Sequence, residues 1–257
     1  VNSAHRQGDW AVRFDWGPSG ASAIGQDAGV AVVVDVLSFT TTLSVAVDLG
    51  VEVLPYRWRD DSATAYAAQH RAVLAVGRSD AAAGAVSLSP GTVRRARGLT
   101  RLVLPSPNGS SIAYSLAAAA GVCVGASLRN ARAVAEWIAE NHDQRSTVAV
   151  IAAGERWPDG TLRPAVEDVW GAGAVLDVLG SLRPELSMSP EAEMAAAAWH
   201  TVRERAGTAL TQCASGRELI AAGYASDVEV AAEVGESRCV PVLSGDVFVD
   251  RGHRLPS

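Results

Sequence analysis

Short β-branched runs alternate with alanine-rich helical stretches from one end of the chain to the other. The runs VAVVVDV (30–36), VEVLPY (51–56), AVLAVG (72–77), RLVLPS (101–106), GVCVGAS (121–127), TVAVIAAG (147–154) and SRCVPVLS (237–244) predict strands. They are continuously apolar, the pattern of strands covered on both faces. Between them the helices have legible starts. Thr40 or Thr41 can cap a helix over 42–49 that stops at Gly50, Asp61 or Ser62 can open 62–70, and Asn130 can open 131–141. Ser89 before Pro90 and Ser189 before Pro190 place a cap ahead of a first-turn proline, the second pair opening a long helix over 190–207. Ser215 with Glu218, and Ser226 with Glu229, have capping-box spacing. This alternation predicts an α/β fold with a largely parallel sheet.

A chain of 257 residues, 48% hydrophobic and 19% charged, can bury a large core, and no linker composition divides it. A single compact domain over 1–257 is expected. The formal charge of −6 disfavours a nucleic-acid or anionic-membrane partner, which would need a basic patch. The longest apolar runs, 28–34 and 117–126, are too short to span a bilayer, and VNSAHRQGDW has no apolar signal core, so a cytoplasmic protein is expected. Cys123, Cys213 and Cys239 lack CxxC spacing and read as reduced, buried thiols. His5, His70, His142, His200 and His253 are scattered without zinc-site spacing.

Four strand-to-helix segments concentrate polar residues where α/β proteins bind ligands. In the first, Asp35 ends an apolar strand and Ser38, Thr40, Thr41 and Thr42 follow. The carboxylate can hold a hard cation or bond a neighbouring loop, and the hydroxyls can meet an anion or simply cap. The second, PSPNGSS, sets Asn108, Gly109, Ser110 and Ser111 at a helix start, where glycine lets backbone N–H groups approach phosphate. The third runs from 152 to 177 and carries Glu155, Arg156, Asp159, Arg163, Glu167 and Asp168, more charge than capping requires. The fourth holds Arg129 and Asn130, and Arg129 offers either a forked anion clamp or a salt bridge.

Acids for a metal together with arginines and helix starts for an anion suggest phosphoryl chemistry assisted by Mg2+. Familiar phosphatase patterns do not fit. A haloacid-dehalogenase-type site needs a second acid two residues after Asp35, where Leu37 stands; CASGR from Cys213 to Arg217 is too short for a cysteine phosphatase; and GxxxxGK[ST] is absent.

Taken together, VVVDVLSFTTTL, LPSPNGSSIA, GASLRNARAVA, AAGERWPDGTLRPAVEDVWGAG and the tail from Ser215 to Phe248 resemble the 2-phosphosulfolactate phosphatase family over about Val30 to Phe248. The resemblance implies Mg2+-dependent release of phosphate from 2-phosphosulfolactate, giving sulfolactate, in a step of coenzyme M synthesis. It also implies a three-layer α/β/α fold with a mostly parallel or mixed sheet and two halves of related topology. Carried over, Asp35, Glu155 and Asp168 are expected to be catalytic, and Asp35, Glu155, Glu167 and Asp168 to supply metal ligands. Thr40, Thr41, Asn108, Gly109, Ser110, Arg129 and Arg156 are expected to bind the small anionic phosphomonoester. Two departures stand out: Ser38 replaces the arginine usual after Asp-Val-Leu, and VGRSDAAAGAVSLSP lacks the usual Glu and Asn, leaving Arg78 or Arg94 to compensate. The alternative these departures raise is a non-catalytic anion-binding or regulatory relative. Tryptophans among Trp10, Trp16, Trp58, Trp137, Trp157, Trp170 and Trp199, if exposed, would mark the surface of a homodimer.

Overall fold

The computed structural model describes residues 2–57, 61–82, 84–141, 143 and 146–252; Trp58, His142 and His253 lie outside them. The apolar runs become strands β2 (Val30–Val34), β3 (Glu52–Tyr56), β4 (Val73–Leu74), β5 (Arg101–Pro105), β6 (Val122–Ala126), β7 (Val148–Ala152) and β10 (Pro241–Ser244). Four more complete the set: β1 (Val12–Trp16), the short hairpin β8 (Glu155–Arg156) with β9 (Leu162–Arg163), and β11 (Val247–Asp250). Among the described residues nine of these form one sheet in the order β1-β7-β2-β6-β10-β11-β3-β5-β4. Strands β1, β7, β2 and β6 are mutually parallel, as are β3, β5 and β4, and the antiparallel hairpin β10–β11 joins the two blocks.

Alternation of side chains along a doubly covered strand builds the three layers. On β2, Val30, Val32 and Val34 enter one core with Val148 and Val150 of β7, while Ala31 and Val33 enter the other with Ala149 and Ile151. The first core is roofed by helices Ala131–Asn141, Val166–Leu182 and Pro190–His200, the second by Gly17–Ile24, Phe39–Asp48 and Gly109–Ala117. Helices Val166–Leu182 and Pro190–His200 approach closely at Gly173, where a Cβ would sit 2.8 Å from the Ala195 carbonyl carbon.

Several local expectations change. The long helix ends at His200; a short 3-10 turn and a separate helix Ala206–Gln212 follow, and Trp199, Val202, Ala206 and Leu210 of this stretch all enter the core. Ser189 caps as expected, accepting the Ala192 N–H at 3.1 Å. Ser215 and Ser226 do not cap: those helices begin one residue earlier, at Ala214 and Ala225. The three cysteines are buried, and burial pushes the Cys123 thiol up to about 12. Trp10 and Trp157 are exposed and Trp199 is buried. No helix among the described residues is long and apolar enough to cross a membrane.

Candidate active site

The segments that follow β2, β5 and β7 meet, and Asp35 is their centre. Its carboxylate lies between the starts of two helices: Oδ1 accepts the Phe39 N–H at 3.1 Å and Oδ2 the Gly109 N–H at 3.0 Å. Helix starts are where an anion is stabilised, and here the protein's own carboxylate occupies the position. Asp35, and not Thr40 or Thr41, thus caps helix Phe39–Asp48. The backbone beneath is locked as well, since Thr40 Oγ1 donates to the Asp35 carbonyl at 2.8 Å and accepts the Asp35 N–H at 3.0 Å.

Asp168, at the start of helix Val166–Leu182, braces the same region. One oxygen accepts the Val36 N–H at 2.7 Å and the other the Gly154 N–H at 2.9 Å. Those amides adjoin Asp35 and Glu155, so one buried carboxylate fixes the spacing of the two strand ends that carry the other acids. Glu155 receives the Asn108 side-chain amide at 3.0 Å, and Arg156 in turn donates to Asn108 Oδ1 at 3.3 Å. Glu167 is buried, and its charge adds to the burial that pushes the Cys213 thiol up to about 12, while that thiol donates to the Leu210 carbonyl at 3.2 Å.

A cavity of about 180 Å³ opens above this cluster, lined among others by Asp35, Ser38, Phe39, Arg78, Asn108 and Glu155. Burial pushes the Asp35 carboxyl up to about 6, against the pull of the Phe39 and Gly109 amides. Burial and the nearby Asp35 charge push Glu155 up to about 7, and Asp168 is also raised, by burial and then by Asp35 and Glu167. These are acids crowded in low dielectric with little compensating positive charge. Arg78 supplies the cation. It enters from the 3-10 turn Arg78–Asp80 and donates to Ser38 Oγ, while its Nε bonds Asp227 at 2.7 Å.

Other expected binders are turned elsewhere. The Thr41 hydroxyl donates to the Val36 carbonyl at 2.7 Å and the Ser110 hydroxyl to the Leu104 carbonyl at 3.0 Å, so both stabilise the loops that carry the site. The Gly109 N–H serves Asp35. Arg129 does not reach the cavity; its guanidinium is 5% exposed and bonds Ser44 at 2.7 Å, Glu233 at 3.0 Å and Asp48 at 3.1 Å. Its pattern fitted a clamp or a salt bridge, and partners distant in sequence select the salt bridge. Arg129→Ala is accordingly expected to cost about 3 kcal/mol in denaturant unfolding, the low end for breaking a buried pair because both acids reach solvent. A raised KM with unchanged stability would instead return Arg129 to the cleft. Arg94 is likewise engaged by Glu233 at 2.7 Å.

The model of the 2-phosphosulpholactate phosphatase family matches residues 20–246. The chain belongs to this family. The 2-phosphosulpholactate phosphatase match takes in every residue of the cavity and the Asp168 brace, and it places the chain among the phosphoric monoester hydrolases. A probable 2-phosphosulfolactate phosphatase of Deinococcus radiodurans is 30% identical over 225 residues, 83% of this chain and 87% of the relative. Another from Thermus thermophilus is 30% identical over 222 residues, 85% and 89% of the two chains.

Asp227 and Ser89 are the site's neighbours that sequence reasoning missed. Asp227 looks like an ordinary first-turn acid and Ser89 like an N-cap, yet the Ser89 hydroxyl donates to Asp227, which holds Arg78. Only the folded chain brings them together.

The donor set suits Mg2+ in one form. Among the described residues no three carboxylate, imidazole or thiol groups converge as a ready-made metal cage. Mg2+ does not require one, because it keeps several waters and binds through one or two carboxylates plus substrate phosphate oxygens. Asp35 and Glu155, hard oxygen donors that line one cavity and each raised by burial, fit that role. Both Asp168 oxygens accept backbone N–H groups.

Proposed function

We propose that this chain is a Mg2+-dependent phosphatase that releases phosphate from 2-phosphosulfolactate or a closely similar small anionic phosphomonoester. The observation that supports it most is the single small cavity wall shared by Asp35, Glu155, Asn108 and Arg78 in a chain of this family. Asp35 and Glu155 would hold Mg2+ and Asp168 would keep their spacing. The bound cation supplies charge neutralisation on the phosphoryl oxygens and a well-placed water. Arg78 meets the anionic oxygens through its fork. The Asn108 amide keeps the Glu155 carboxylate aimed into the cavity, where it would face the cation and its water. The cavity's size favours a small acid over an extended ester.

Phosphate release from 2-phosphosulfolactate and a panel of phospho-acids, with Mg2+ and with EDTA, tests the reading. Metal-dependent release from phosphosulfolactate supports it, and release only from another compound relocates the substrate. A folded chain that binds these anions but releases nothing is the non-catalytic relative.

A second expectation concerns the metal itself. Asp35 and Glu155 titrate near 6 and 7 in the folded chain against about 4 unfolded, so the folded state binds more protons in that window. Their contribution to stability is complete below about pH 4 and is lost as pH rises through 6 to 7. A divalent cation needs both ionised and relieves their repulsion. The rise in Tm on adding Mg2+ should therefore be larger at pH 8 than at pH 5. Equal shifts, or none, would remove these two as its ligands.

A further inference from the structure

Of the described residues lining the cavity, Arg78 carries the only guanidinium or ammonium charge. Its own segment cannot aim it. Arg78 sits on a three-residue turn, and the stretch that follows, residues 79–82 with 84 and 85, is small or exposed and supplies little packing. The direction of the guanidinium comes from residues far along the chain. Asp227, fully buried on helix Ala225–Ala231, takes Nε at 2.7 Å. Its other oxygen accepts the Ser89 hydroxyl, so both oxygens of the carboxylate are satisfied without solvent. A terminal nitrogen of Arg78 reaches Ser38 Oγ, and the Tyr224 ring lies 5.8 Å from its Cζ. The helix that carries Asp227 is itself pinned, because Glu233 just beyond it pairs with Arg94 and Arg129.

Resting on the reading of the cleft as a phosphomonoester site, we infer that Asp227 is a positioning residue, which fixes Arg78 so that the outer edge of its fork faces the substrate's anionic oxygens. A guanidinium left on a weakly packed turn would sample many directions, and losing a pre-set aim costs affinity through ordering. Charge alone does not explain the arrangement: a carboxylate beside an arginine weakens its net field, so the benefit is direction. The C-terminal segment thereby has a function in the cleft without touching substrate.

The test is a double-mutant cycle on the Mg2+-loaded full chain, read as kcat and KM for phosphate release from 2-phosphosulfolactate and as inhibition by inorganic phosphate. Arg78→Ala should lower kcat/KM about 100-fold, as expected for removing a donor to the reacting oxygens. Asp227→Asn should lower it roughly tenfold, mainly through KM, because the guanidinium remains but loses its aim. In the Arg78→Ala background, Asp227→Asn should add almost nothing. Added guanidinium should restore part of the activity of Arg78→Ala but not of the double variant. Should Asp227→Asn melt, Asp227→Glu keeps the charge and displaces it by one methylene, with the same rise in KM expected. Effects that multiply, or guanidinium rescue that ignores Asp227, overturn the inference and leave the phosphatase reading standing. A folded wild-type chain that releases no phosphate from any phospho-acid overturns both.

Discussion

Asp35→Asn is expected to lower metal-dependent phosphate release by about 1,000-fold or more while the chain stays folded. The substitution keeps shape and removes charge. An amide oxygen can still accept one of the two helix-start N–H groups, from Phe39 or from Gly109, but the amide nitrogen would face the other donor. That lost bond costs about 1 kcal/mol. It is offset in part because a neutral group no longer suffers the burial that raises the Asp35 carboxyl to about 6. Stability should thus move by a few degrees in Tm at most. Activity has no such compensation: an amide is a poor ligand for a hard cation, and the field that positions phosphate against Glu155 and Arg78 changes sign of balance. Circular dichroism beside the release assay checks both halves. Turnover within a few-fold of wild type would remove Asp35 from the chemistry, whatever the family.

The parts of this molecule that local pattern controls are the parts its sequence reveals. Strands β2, β6 and β7 are apolar at nearly every position because both faces are covered, and so they stand out. Strand β1, VRFDW, pairs along its whole length with β7 but carries Arg13 and Asp15, which hide it among polar neighbours at the edge of the sheet. The site divides in the same way. Asp35, Asn108 and Glu155 are legible because each follows a strand. The hydroxyls of Thr41 and Ser110 look like anion ligands, but the same groups satisfy loop carbonyls, and composition cannot distinguish the two uses. Arg129 and Arg78 show the limit most clearly. Each is an arginine in a loop, and the carboxylates that decide their fates, Glu233 and Asp227, lie 104 and 149 residues away.

Gly109→Ala is the sharper test of how tightly the Asp35 seat is built, because local and tertiary physics pull in opposite directions. At the first residue of helix Gly109–Ala117, alanine has the better helix propensity, by up to about 1 kcal/mol. Propensity alone therefore predicts a more stable chain with unchanged chemistry. Tertiary contact predicts otherwise. A Cβ at Gly109 would lie 2.7 Å from Asp35 Oδ2 and press on the Phe39 ring, and neither neighbour can yield freely. Phe39 is buried against Phe248, and Asp35 is held by two amides and by the Thr40 lock beneath it. Relief of the clash must carry the carboxylate out of its place between the two helix starts. Misplacement by about 1 Å at a reacting centre costs on the order of 100-fold in rate, and overpacking costs roughly 1–3 kcal/mol. The expected result is therefore a chain that loses both stability and kcat/KM, with Mg2+ raising its Tm less than in wild type. A variant that gains stability and keeps its rate would mean that the carboxylate can move without penalty, and the account of a rigid seat built from two helix starts would have to be given up.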